Sequence, residues 1–132
     1  MLALYAFSMS VAQADIELRV EKMELDGLQI QNLYCQLPKD QPMAALQIGA
    51  AISKGKSNWD LCMPEGGAAN ITWIWLAKEQ RVEVPAISNE NAHTCVKNAA
   101  ARIEHPMTAR CSAVILMGNR EEAEKAARTL DY

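Results

Sequence analysis

From Ile16 the chain alternates, with Ile16, Leu18 and Val20 on one face and Glu17, Arg19 and Glu21 on the other. That two-residue period belongs to a half-buried strand. Asp26-Gly27 supplies the positive-φ residues that a tight hairpin needs, and a second strand follows from Leu28 to Leu37. Its inward positions change parity: Leu28 and Ile30 are even-numbered, whereas Leu33, Cys35 and Leu37 are odd-numbered. A bulge or a break near Gln31-Asn32 is the expectation.

Pro38 and Pro42 bracket a turn, and Pro42 suits the first position of a helix over Met43 to Cys62. The first half of that helix is apolar almost all round, which predicts deep burial. Gly49 in its interior favours close packing against another backbone, and Gly55 is a point where it could end early. Continued past Gly55, it would align Ile52, Trp59, Cys62 and Met63 on one stripe. Pro64 and Gly66-Gly67 stop it in either case.

Asn70 to Leu76 is β-branched and aromatic, and Arg81 to Ile87 alternates Val82 and Val84 against Arg81 and Glu83. The pair reads as a second hairpin across Lys78 to Gln80, with Pro85 placing the later strand at an edge or bulge. Ser88 is then the expected N-cap of a helix in which Ala92, Cys95, Val96, Ala99, Ala100 and Ile103 share a face. Cys111 to Met117 reads as a buried strand, and Asn119 with Glu122 as a capping box for a last helix on Ala123, Ala126, Ala127 and Leu130. The order is strand, strand, helix, strand, strand, helix, strand, helix, which is an α+β fold.

Composition narrows the function classes. A chain of 132 residues that is 50% hydrophobic and 22% charged is one globular domain's worth. A formal net charge of -3 without a Lys/Arg cluster argues against nucleic acid as a partner. No apolar run is long enough for an integral membrane segment in the mature chain. Residues 1–14 carry no charged side chain and end in Ala12-Gln13-Ala14, the small-x-small pattern of a cleaved secretory signal. The expected organisation is thus a signal peptide over 1–14, with its true start at or upstream of Met1, and a single domain over 15–132. Asp15 rather than Cys follows the cleavage point, so lipid anchoring is not indicated.

Cys35, Cys62, Cys95 and Cys111 make an even count in a chain read as exported, which favours disulfides. Four cysteines permit three pairings, and spacing does not choose among them. The absence of CxxC, and of paired ligand spacing around His93 and His105, leaves no metal site or cofactor to expect. Trp73 and Trp75 share one face of a strand, with Trp59 nearby in sequence. They are candidate binding residues for a stacked glycan or peptide, although large aromatics more often serve as core. His93 as base with Ser88 or Ser112 as nucleophile lacks both a nucleophile elbow and an orienting carboxylate, so no enzyme is expected. Asp60, Glu65, Glu83 and Glu104 read as solvated surface charges.

The stretch from Met43 to Met117 resembles the carboxy-terminal domain of TonB-type proteins, in the cysteine-containing version of myxobacterial gliding and envelope proteins. The residues that carry the likeness are Cys62, Gly66-Gly67, Ile71-Thr72-Trp73-Ile74-Trp75, Val82-Glu83-Val84, Cys95-Val96 with Ala99, and His105-Pro106. The resemblance implies a helix-strand-strand-helix-strand core, to which this chain adds an amino-terminal β-hairpin and a carboxy-terminal helix. It places two helices side by side on one sheet face, and so implies Cys62 bonded to Cys95 and Cys35 to Cys111. It also implies a non-catalytic periplasmic or secreted bacterial module whose partner is another envelope protein, bound by strand addition at an open sheet edge. The alternative expectation is an inhibitor or immunity protein against a periplasmic hydrolase or toxin, with Met63 to Ala69 as its protruding loop.

Overall fold

The computed structural model describes residues 16–131; the expected signal segment lies outside them. The first hairpin pairs β1 (Ile16–Leu25) with β2 (Leu28–Leu37) across Asp26-Gly27, whose φ values of 51° and 82° are the left-handed pair such a turn requires. Two helices follow, α1 (Ala44–Ser53) and α2 (Lys56–Cys62), then the hairpin of β3 (Gly67–Trp75) and β4 (Gln80–Ile87). A 3-10 turn (Glu90–Ala92) leads into α3 (His93–Ala101), β5 (Ala109–Met117) and α4 (Arg120–Thr129). The strands form one antiparallel sheet in the order β1-β2-β5-β3-β4, so the last strand enters between the two hairpins and leaves β1 and β4 at the edges.

One sheet face carries the main core. Leu33, Cys35 and Leu37 of β2, Cys111, Ala113 and Ile115 of β5, and Ile71, Trp73 and Trp75 of β3 pack beneath Ile48, Ile52 and Trp59 of α1 and α2 and Val96 and Ala100 of α3. The other face is covered at one end by α4, whose Ala123 rests on Ala68, Val114 and Leu116. Small side chains there let the helix approach closely. Asn119 caps α4, its side chain accepting from the Glu122 backbone N–H at 3.1 Å as expected. The return half of the capping box is not made, because Asn119 N–H donates to the Pro64 carbonyl and the Glu122 carboxylate pairs with Lys125.

The parity change in β2 is a bulge: the β2–β5 ladder shifts register between Gln31 and Tyr34, and Asn32 takes φ 52°. β1 follows it without losing pairing. Val20 opposes Leu33 and Met23 opposes Ile30 in one continuous register, so the inward residues of β1 switch from Leu18 and Val20 to Met23 across Glu21-Lys22.

The helix expected over Met43 to Cys62 is broken at Lys54-Gly55. The break is held by Trp59, whose indole N–H donates to the Ile52 carbonyl at 3.0 Å, an acceptor that Gly55 N–H also uses. Pro42 stands before the Met43 cap rather than inside the first turn. Gly49 does allow a close approach, but of β1 side chains rather than of another backbone: a Cβ there would lie 2.9 Å from Leu25 Cδ1.

The expected cap at Ser88 is displaced by one residue. Asn89 accepts from the Asn91 backbone N–H, while the Ser88 hydroxyl accepts from Ala68 N–H at 3.0 Å and so extends the β3–β4 pairing. Both disulfides join the partners that the resemblance implied, Cys35 with Cys111 and Cys62 with Cys95. The first links directly opposed residues of β2 and β5 inside the core; the second links α2 to α3 near the surface.

Candidate functional site

The two sheet edges differ in ways that follow from their sequences. In β4, Asn70 opposes Ala86 and Thr72 opposes Glu83, so Val84 and Pro85 together face the single residue Ile71. This bulge, with a proline that has no N–H, removes the even row of donors and acceptors that an incoming strand would use. Around it the end of the sheet is tied to α3. Trp73 Nε1 donates to the Ala100 carbonyl at 3.1 Å, Trp75 Nε1 to Gln80 Oε1 at 2.6 Å, and Gln80 Nε2 to the Ala101 carbonyl at 2.8 Å. The His105 ring stacks on Trp75 with centroids 6.2 Å apart.

Through the change of face at Glu21-Lys22 the β1 ladder to β2 keeps one register, and among the described residues β1 has neither the proline nor the indole and amide ties to a helix. It spans ten residues without proline, and among the described residues no strand lies on its outer side. Leu18, Val20 and Met23 turn toward the core and remain half-buried. The opposite face presents Glu17, Arg19, Glu21, Lys22 and Glu24. Several are already held in place: Glu17 accepts from the Tyr34 hydroxyl at 2.9 Å, and the Arg19 guanidinium lies 4.5 Å above the Tyr34 ring. Glu24 takes two hydrogen bonds from the Arg120 guanidinium, at 2.8 and 3.3 Å. The hydrogen bonding and charge of Arg120 lower the Glu24 pKa below the ordinary carboxylate value.

The residues singled out in the sequence are dispersed. Trp59, Trp73 and Trp75 are each 0% exposed, so the candidate stacking platform is core. Trp73 meets Trp59 edge to face and leans on Trp75, leaving no ring face for a ligand. Ser88 is occupied by Ala68 and Met63, His105 by Trp75; His93 opens α3, and Ser112 sits mid-strand opposite Thr72 and Tyr34. Among the described residues no three His, Cys, Asp or Glu side chains converge as metal ligands. Met63 to Ala69 does not protrude: Met63 and Gly67 to Ala69 are buried, the last three inside β3. The sequence reading missed Asp60. Its carboxylate accepts from Gly118 N–H at 2.9 Å and pairs with Lys56, locking the β5–α4 turn against α2. That turn requires glycine, since Gly118 has φ 71° and any Cβ would strike the Met63 carbonyl.

A shallow groove of about 480 Å³ runs between α1, α2 and the end of α3, lined by Lys54, Asn58, Arg102, Glu104 and His105 among others. Its charges are mixed in sign, with Lys54 and Arg102 beside Glu104. Among the described residues no helix is long and apolar enough to cross a membrane. No family model, curated protein or solved structure gives a significant match to the chain.

Proposed function

We propose that this chain is a non-catalytic protein-interaction module of the bacterial cell envelope, exported to the periplasm or beyond, which binds protein partners by strand addition along the outer side of β1. The observation that carries the reading is the inequality of the two edges: a proline and a bulge blunt β4, while β1, paired with β2 on one side, keeps an open outer side along a ten-residue strand. An open edge of that length offers main-chain hydrogen bonds for affinity and alternating side chains for specificity. Two disulfides support the compartment, because such bonds persist where thiols are not kept reduced. The TonB-type resemblance and the expected cleavage after Ala14 belong to the same proposal. Hydrogen exchange on the protein with and without bound envelope protein tests it: binding should slow the amides of residues 16–25 and leave residues 80–87 unaltered. Protection confined to the α1–α3 groove or to β4 would overturn it.

A further inference from the structure

We propose that the strand seated on the β1 edge is β1 of a second copy of this chain, joined antiparallel about a two-fold axis that passes between Glu21 and Lys22. The inference rests on β1 being the binding edge and names the partner there. An antiparallel neighbour must place apolar side chains against apolar ones on the core face and charged against charged on the other. β1 changes its inward parity across Glu21-Lys22, so most registers against a copy of itself fail this condition. With the axis between those two residues, both changes coincide. Val20 then faces the copy's Met23 and Leu18 its Leu25, continuing the core stripe across the axis.

The charged face is complementary in the same register. Glu21 opposes the copy's Lys22 and Arg19 opposes its Glu24, and the two-fold repeats each pair. A slip by one residue sets Val20 against a charged position, either Lys22 or Glu24. A slip by two sets Glu17 against Glu24 and Arg19 against Lys22 in one direction, and Glu21 against Glu24 in the other. Like charges directly opposed are destabilising, so the pattern selects one alignment. Its one like-charged match, Glu17 with Asp26, falls where Asp26 has left the strand for the turn. Glu21 and Lys22 are exposed and, among the described residues, make no ion pair or side-chain hydrogen bond within their own chain. They are free to pair across the axis. The product is a closed two-fold dimer with a continuous ten-stranded sheet, which leaves only the blunted β4 edges outside.

Sedimentation equilibrium of the purified protein, with circular dichroism to verify folding, tests the register. Wild type should dimerise with concentration, and more weakly as salt rises. Lys22→Glu and Glu21→Lys should each weaken dimerisation by about tenfold or more, and the double exchange Glu21→Lys/Lys22→Glu should recover most of the loss, as coupled neighbours do. A folded monomer at every concentration, single exchanges without effect, or a double variant no better than the singles would each overturn the inference. Hydrogen exchange separates its failure from that of the edge reading. A monomer whose residues 16–25 are protected by an envelope protein sinks self-pairing alone, whereas a bound envelope protein that protects only the α1–α3 groove or β4 sinks both.

Discussion

The two ends of the sheet are built on opposite plans. At the β4 end, the Trp73 indole and the Gln80 amide tie strand to helix, the Trp75 indole donates to Gln80, and the outer strand is bulged at a proline. At the β1 end α1 rests on Met23 and Leu25 through Gly49, and the exposed face is held by the Glu24–Arg120 ion pair and by the Arg19 cation over the Tyr34 ring. One end is closed by packing and the other is kept in register by packing but left unpaired. A sheet can thus spend its large side chains on one edge and keep the other for association.

Removing the packing that closes the β4 end should have the largest effect. Trp73 is fully buried and its indole N–H is satisfied by α3. Trp73→Ala should lower unfolding stability by about 3 to 5 kcal/mol, measured by urea denaturation. It should loosen β4 while leaving association through β1 intact in whatever fraction stays folded. An equal loss from Val20→Ala, at a half-buried site, would break the contrast between the ends.

The disulfides sharpen it. Cys62 and Cys95 are 33 residues apart, so their bond contributes about 3 to 4 kcal/mol by chain entropy. Cys95 is exposed, whereas Cys35 and Cys111 are 0% and 1% exposed. Mild reductant followed by alkylation and peptide mapping should label Cys62 and Cys95 first, with Cys35 and Cys111 labelled only as the sheet unfolds. Labelling of Cys35 and Cys111 first would mean that the β2–β5 seam opens more readily than the helix pair.

The smallest effect concerns the charges that flank β1. Glu24 is held below the ordinary carboxylate value by Arg120, so it binds fewer protons folded than unfolded around that value. Its contribution to stability is therefore present above the unfolded pKa and is lost as pH falls through the lower folded one. The site is solvent-exposed, so the energetic effect is slight. Carboxyl carbon NMR should show the Glu24 midpoint rising toward the ordinary value in Arg120→Ala. An unmoved midpoint would remove the clamp from the description of this edge.

Much of the fold was legible in local patterns. The Asp26-Gly27 turn, the bulge at Asn32, the Pro85 irregularity and the Asn119 cap each follow from the conformational preferences of one or two residues. The misplaced features involve partners distant in sequence. Ser88 has the chemistry of a cap, but the Ala68 amide engages it first and Asn89 takes the role. Asp60 looks like any surface carboxylate until the β5–α4 turn is brought against it. The edge at β1 was the least legible, because no residue in β1 declares that β5 will insert on the far side of β2. A sign of it was nonetheless present in the sequence, since Leu18 and Val20 are even-numbered and Met23 and Leu25 odd-numbered, the same change of face that was read in β2 alone.

The central claim is that β1 is the associating edge and β4 is not. Amide hydrogen exchange across a concentration series of the purified protein tests it most directly, because it reads both edges in one experiment. Residues 16–25 should gain protection as concentration rises, while residues 80–87 exchange at the same rate throughout. Concentration-independent exchange in β1 would contradict self-pairing at that edge, and protection gained in β4 instead would contradict the account of both edges.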